Sequence, residues 1–246
     1  MQEPSLEELF PHGISGKRIH AMGAGGSGIS AVVRLAREAG ATVTGCDRDE
    51  STMLRILRDQ GFAMAEGHDA AHVRDADLVV TTSAITFPYP DHPELLAAHE
   101  AGIPVALWQR LMGYLMRERT GVSVAGVHGK GTTTGMLGAL AVAAGLDPTV
   151  ELGAVMVDWG SNIHLGSGSL FIHEADEFNY QFMSYHPRVL VLTAVEYDHP
   201  EFFRDYAHIR DAFVGFAKGM AMAPGVSSVP PTLVLNADNP GCMDVL

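Results

Sequence analysis

The sequence predicts an α/β fold built on parallel sheets, and three observations carry that prediction. Short apolar runs alternate with helical segments, the rhythm of βαβ units. A strand, a glycine-rich loop and a helix follow one another twice, starting at Arg18 and again at Gly121. The 246 residues suffice for one large domain or two small ones. The restart sets the expected organisation: a Rossmann-like parallel-sheet domain over 1–118, then a P-loop ATPase-like domain over 119–246.

The elements follow in order. Residues 1–16, with Pro4, Pro11 and two glycines, read as a lead-in. Arg18–Gly23 is a short strand. Ser30–Gly40 is a helix with Val33, Leu35 and Ala36 on its apolar face and Arg34, Arg37 and Glu38 toward water. Gly40 suits the position just past its end. Ala41–Asp47 is the next strand. Residues 50–60 form an amphipathic helix stopped by Gly61. Asp77–Ala84 is an apolar strand entering a loop, and His92–Gly102 a helix with Pro93 in its first turn. A short strand, Ile103–Ala106, precedes a helix over Leu107–Arg119 that bridges the expected domains.

The second cycle opens with the strand Gly121–Gly126 and a small-residue helix, Thr132–Gly145, suited to close packing on a sheet. Ser169–Glu177, Arg188–Glu196 and Pro231–Asp238 read as three further strands. Glu201–Gly219 is a helix between the last two. Its aromatics, Phe202, Phe203, Tyr206, Phe213 and Phe216, are read as core packing. The chain stops soon after its last strand with no covering helix. The second domain is therefore expected to be incomplete, and the chain truncated.

Composition excludes several classes. The formal charge is −13, which argues against a broad nucleic-acid face, because counterion release needs clustered cations. An anionic ligand must then be held locally, by backbone N–H groups and a few chosen cations. The only two cysteines, Cys46 and Cys242, lie far apart. They exclude a disulfide framework and fit a reducing cytoplasm. No basic start followed by an apolar run marks a leader, and no apolar run of about 18 residues predicts a membrane span.

Two glycine loops carry the chemistry. Gly23 to Gly28 is a complete G-x-G-x-x-G between a strand and a helix. Gly25, Gly26, Ser27 and Gly28 would let a diphosphate approach the helix N-terminus closely. Asp47 ends the second strand, where a carboxylate can reach a ribose hydroxyl. The pattern alone leaves open a dinucleotide or another nucleotide diphosphate.

The second loop runs Gly126-Val127-His128-Gly129-Lys130-Gly131-Thr132-Thr133-Thr134. Its amides can cradle phosphates while Lys130 pairs with the transferred oxygens. It departs from G-x-x-x-x-G-K-[ST]: position 124 is Val, and Gly131 lacks the hydroxyl expected on Mg²⁺. Thr132 is the nearest replacement. Downstream, His173-Glu174-Ala175-Asp176-Glu177 packs three carboxylates at a strand end, which repel one another unless cations neutralise them. Strand alternation puts Glu174 and Asp176 on one face with Glu177 opposed. Glu196-Tyr197-Asp198-His199-Pro200 is a second acidic and imidazole group. Such strand ends near a phosphate loop suit a Mg²⁺ ligand.

Together these motifs resemble the Mur ligase family, most closely its branch that joins L-alanine to UDP-N-acetylmuramate. That family's G-x-G-G-x-G-M-S loop is matched by Gly23 to Ser30, with Ile29 for Met. Its Ser-Asp is matched by Cys46-Asp47. Gly67-His68, Thr82-Ser83-Ala84 and Asn162-Ile163-His164-Leu165-Gly166 match its next elements. Its ATP loop matches Gly126 to Thr134 with changes at Val127 and Gly131. Its Glu-Ala-Asp-Glu is intact at 174–177. Its Thr-Asn-Ile-Glu-x-Asp-His has Ala194 where Asn is expected, and ends at His199.

The resemblance implies an enzyme that uses ATP and Mg²⁺ to activate the muramoyl carboxylate as an acyl phosphate, which L-alanine attacks. It implies substrate contacts from Gly25, Gly26, Ser27, Gly28, Asp47, His68, Ser83, Asn162 and His164. It implies ATP contacts from Gly126, His128, Gly129, Lys130, Gly131, Thr132 and Thr133, and catalysis by Lys130, Glu174 and His199. Glu174 and His199 would hold the metal, with Thr132 as substitute ligand. A third, C-terminal domain of the family is expected to be absent here, which with Gly131 and Ala194 weakens the expectation of turnover. Alternatives are a recycling ligase joining a tripeptide to the same nucleotide, a non-catalytic UDP-sugar module, and an NAD-binding oxidoreductase.

Overall fold

In a computed structural model, residues 5–220 and 228–246 are described. Residues 1–4 of the lead-in lie outside them. The chain divides into two units, Met1–Leu115 and Met116–Leu246.

The first unit contains α1 (Leu6–Leu9), β1 (Arg18–Met22), α2 (Ser27–Glu38), β2 (Thr42–Asp47), α3 (Thr52–Asp59) and β3 (Ala63–Glu66). It continues through β4 (Leu78–Thr81), α4 (Ser83–Thr86), α5 (Pro93–Glu100) and β5 (Val105–Leu107). The helix α6 (Trp108–Met116) runs across the division of the chain. The five strands are all parallel in the order β3-β2-β1-β4-β5. The order reverses at β1, and the crevice at the strand ends there is where doubly wound sheets hold ligands. Met22, Cys46, Val73, Val79, Leu95 and Ala98 form a buried core cluster.

Two features differ from expectation. The edge strand β3 reads Ala-Met-Ala-Glu, with no β-branched residue to announce it; pairing with β2 supplies the order. Arg34 does not face water. It is buried, and its Nε donates to Gln60 Oε1 at 2.8 Å while Nη1 donates to the Ser30 carbonyl at 3.3 Å. Helical periodicity cannot distinguish a solvated arginine from one with buried acceptors in reach.

The second unit comprises β6 (Thr120–Ala125), α7 (Lys130–Ala143), β7 (Thr149–Met156), β8 (Ser161–His164) and β9 (Leu170–Ala175). It continues through β10 (Val189–Leu192), α8 (Tyr206–Gly219), β11 (Thr232–Leu235) and α9 (Pro240–Met243). The order is β11-β10-β6-β9-β7-β8, parallel except for β8, which is antiparallel to β7. The small residues of α7 do bring it close to the sheet: a Cβ at Gly138 would lie 2.8 Å from Val150 Cγ1. Phe203, Phe213 and Phe216 are fully buried, and Phe182 stacks on Phe216 at 4.6 Å.

The β7–β8 hairpin is absent from the sequence reading, because Glu151 and Gly153 interrupt the apolar run. The short helix α9 follows β11, where none is predicted; Asn239 caps it by accepting the Cys242 N–H at 3.0 Å. Among the described residues, no helix is long and apolar enough to cross a membrane.

Candidate functional site

In the second unit, β6 delivers the chain into a loop that only glycine can open. Gly126 has φ +134°, and a Cβ there would lie 2.7 and 2.8 Å from the carbonyl oxygen and nitrogen of Ala194. The loop is clamped to the chain leaving β10. The Val127 N–H donates to the Ala194 carbonyl at 2.9 Å, and the Thr193 hydroxyl is shared between the carbonyls of His128 and Ala125.

Gly129, at φ +81°, caps α7 without a side-chain acceptor. The helix uses the Thr133 N–H, which donates to the Gly129 carbonyl at 3.0 Å. The amides before it have no acceptor within the helix, the arrangement that binds anions at helix N-termini.

Lys130 opens this helix and meets the downstream acidic run. Its Nζ lies 2.9 and 3.1 Å from the two oxygens of Glu177, whose side chain is fully buried. His199 Nε2 is 3.9 Å from Glu177 Oε1. One donor atom from each of Asp176, Glu177 and His199 can be chosen so that all lie within 4.8 Å of one another. His199 itself has φ 54°, and Asn179 and Tyr180 have φ 53° and 55°. Non-glycine residues in this region cost about 1 kcal/mol or more each, and such strain collects at functional sites.

Glu174 takes a different place. It sits on β9 opposite Val124 of β6, and its Oε2 accepts the Gly153 N–H at 3.0 Å. A Cβ at Gly131 would lie 3.3 Å from that oxygen. The structure therefore brings Gly131 to Glu174, and Lys130 and His199 to Glu177; Thr132 is exposed on the first turn of α7. Alternation does not govern Glu177, because β9 ends at Ala175 and the chain turns there. Asp176, Glu177 and the Thr193 clamp are the members the sequence reading did not assign.

Two buried groups flank the site. Burial pushes His173 down to about 3, so it is a neutral imidazole; its Nε2 lies 2.6 Å from Ser123 Oγ. Burial, and then the Glu174 carboxylate, push Glu151 up to about 8.

In the first unit the Gly23 and Ala24 N–H groups both donate to the Cys46 carbonyl at 2.9 Å. The Gly25 N–H donates to Asp47 Oδ2 at 2.8 Å, so one carboxylate oxygen already holds the loop. A Cβ at Gly28 would lie 2.4 Å from the Trp108 ring. Gly26 caps α2, and Ser27 and Gly28 form its first turn, with no side-chain acceptor on the helix end. Ser83 begins α4. His68 lies behind the loop, its Nδ1 2.8 Å from Glu94 Oε2. Asn162 and His164 belong to β8 of the second unit: Asn162 is buried, and His164 is partly buried against Trp159.

Comparison with known proteins bears on these loops. The model of the Mur ligase family, catalytic domain, matches residues 18–120. A UDP-N-acetylmuramate–L-alanine ligase of Sulfurihydrogenibium sp. is 38% identical over 82% of this chain and 44% of its own length. The solved UDP-N-acetylmuramate–alanine ligase of Thermotoga maritima superposes with TM-score 0.80 at 28% identity, over 93% of this chain and 51% of that one. The UDP-N-acetylmuramate:L-alanyl-γ-D-glutamyl-meso-diaminopimelate ligase of Neisseria meningitides also gives TM-score 0.80 at 28% identity, over 94% of this chain and 75% of that one. The chain thus spans less than half the length of the curated relatives it matches.

Proposed function

Since the chain belongs to the Mur ligase family, we propose that it acts in the ATP-dependent joining of L-alanine to UDP-N-acetylmuramate, a step of peptidoglycan precursor synthesis. In this reading the first unit takes the uridine sugar nucleotide and the second takes ATP with magnesium. The observation that carries it is Lys130, anchored on buried Glu177 at the open N-terminus of α7.

The residues fit these groups. The loop has the backbone-only surface that phosphates need, and the carboxylates beside it are hard oxygen donors suited to magnesium. His199 would hold the ion with Asp176 and Glu177 beside it, while Glu174 and Thr132 stand as ligands carried by family resemblance alone. Bound there, magnesium would offset charge on the phosphate oxygens during transfer.

The protein's own part is positioning and electrostatics. The α7 amides and Lys130 hold the γ-phosphoryl group as it moves to the muramoyl carboxylate and ADP leaves. Glu177 keeps the ammonium in place before substrate arrives, so little reorganisation is needed. The amine of L-alanine then forms the C–N bond as the acyl C–O bond breaks, and phosphate departs. In the first unit Gly25, Gly26, Ser27 and Gly28 offer backbone to the diphosphate. Asp47 holds Gly25 with Oδ2, and its Oδ1, which accepts the Asp49 N–H at 3.5 Å, would turn to the nucleotide. His68, Ser83, Asn162 and His164 stand as further substrate contacts, carried by family resemblance.

The test is phosphate release by the protein as its gene encodes it, supplied with UDP-N-acetylmuramate, magnesium, ATP and L-alanine. Release should require all four, and Lys130→Ala should lower it about 1,000-fold, in the range for a transition-state charge contact. Release that needs a tripeptide in place of L-alanine would overturn the assignment of the acceptor. Release unaffected by Lys130→Ala would overturn the role of the loop.

A further inference from the structure

Behind the first glycine loop lies a group of side chains that the ligase reading does not use. Glu94, on the first turn of α5, has a fully buried carboxylate. Around it stand His20 from the central strand β1, Cys46 from β2, and His72 from the short 3-10 helix at 70–73. One donor atom from each of these four residues can be chosen so that all lie within 4.8 Å of one another. On the other oxygen of Glu94, His68 Nδ1 approaches to 2.8 Å.

His68, His72 and Cys46 each hydrogen-bond the Glu94 carboxylate, whereas His20 Nε2 is held loosely. His20 Nε2 faces both Cys46 Sγ, at 3.4 Å, and Glu94 Oε1, at 3.7 Å. The second of these exceeds the 2.7–3.2 Å or so of a sound N–H···O bond. They are instead near the edges of a metal tetrahedron. Bonds of about 2.3 Å to sulfur and 2.0–2.1 Å to nitrogen and oxygen give edges of roughly 3.3–3.6 Å. Cys46 Sγ to Glu94 Oε1, at 3.2 Å, is close to the same range. His72 Nδ1 to Glu94 Oε1, at 2.7 Å, is shorter than such an edge and must open. His72 is partly exposed, so that movement is available.

The surroundings are those of a ligand set. The other ring nitrogen of His20 lies 2.9 Å from Thr44 Oγ1, which fixes the ring and leaves Nε2 facing the group. His20 and His72 both line a surface cleft, which gives an ion a way in. The charge also balances: a carboxylate and a thiolate neutralise a divalent cation, and buried charges are paired or bound to metal.

We propose that His20, Cys46, His72 and Glu94 form a site for a divalent zinc-class cation. Two imidazoles, a thiolate and a carboxylate make a closed set of four, the pattern of a structural site. Binding displaces the Cys46 thiol proton to solvent. The ion ties β1, β2, the 3-10 turn and α5 together. Because the Cys46 carbonyl also accepts the Gly23 and Ala24 amides, it braces the first glycine loop from behind.

The test is titration of the chelator-treated chain with Co²⁺, followed by displacement with Zn²⁺. One equivalent of Co²⁺ should give a thiolate-to-cobalt charge-transfer band with visible bands of tetrahedral intensity, and Zn²⁺ should bleach both. Cys46→Ser should abolish the charge-transfer band. His72→Ala, at the exposed rim, should keep the far-ultraviolet circular dichroism of the parent and weaken Co²⁺ binding at least about tenfold. His199→Ala, in the other unit, should leave the band intact. Absence of the band in the parent, or its survival in Cys46→Ser with Cys242 the sole remaining thiol, would overturn the proposal.

Discussion

The Lys130 ammonium lies 2.9 Å from a Glu177 oxygen whose side chain has no exposure to solvent. The pair joins the start of α7 to the turn after β9, across 47 residues of sequence. Removing either partner alone strands a charge. Lys130→Ala should destabilise the second unit by about 3 kcal/mol, the usual cost of an uncompensated buried charge. Adding Glu177→Gln should return at least about 1 kcal/mol of that. Urea unfolding of the two single variants and the double variant reads the coupling; additive losses would mean that the pair carries no interaction.

Gly131 stands where the family loop has threonine, and a Cβ there would sit 3.3 Å from Glu174 Oε2. The neighbour is the end of a flexible side chain, which can shift by the few tenths required. Gly131→Thr should therefore be tolerated and should place a hydroxyl beside Glu174. Calorimetry with a non-hydrolysable ATP analogue and magnesium should show about three- to tenfold tighter binding. An unchanged affinity would mean that Thr132 already supplies the hydroxyl.

Glu151 gives a pH signature. Burial, and then Glu174, raise its carboxyl from the ordinary range to about 8. The folded chain therefore holds a proton that the unfolded chain releases between about pH 4.5 and 8. Stability from this group is full below that window and is lost as pH rises through it, at up to about 1.4 kcal/mol per pH unit. Glu151→Gln keeps a neutral side chain throughout. It should flatten the decline in melting temperature from pH 5 to 8 and have its largest gain at pH 8. A gain confined to acid pH would contradict the sign.

Gly28 packs against Trp108 so closely that a methyl group would lie 2.4 Å from the ring. Gly28→Ala should destabilise the first unit by about 1–3 kcal/mol, as overpacking does, and shift the Trp108 fluorescence. Combining it with Trp108→Leu should recover part of the loss. No recovery would place the damage in the loop backbone and not in the ring contact.

Much of this was legible in the sequence. Apolar runs and glycine punctuation gave the strands of both sheets, apart from those whose order comes from partners. β3 has no β-branched residue, and β7 and β8 are broken by Gly153 and by the turn at Gly160. The Lys130 loop was legible because its chemistry is local. Its anchor was not. Strand alternation stops at Ala175, where β9 ends, and so cannot place Glu177. The group around Glu94 escaped notice for a similar reason. Its members come from four separate segments, and only the parallel register of β1 with β2, which pairs His20 with Thr44, brings its ring within reach of Cys46 two residues on.

In the function proposed above, the first glycine loop serves a uridine sugar nucleotide while the second serves ATP. Calorimetry on the chain tests it directly, with UDP-N-acetylmuramate, NAD and a magnesium–ATP analogue titrated separately and then in sequence. One site is expected for UDP-N-acetylmuramate, weakened by Gly28→Ala and indifferent to Lys130→Ala. A separate site is expected for the ATP analogue with the opposite response, and no competition from NAD. NAD binding more tightly than UDP-N-acetylmuramate, or displacing it, would contradict the account.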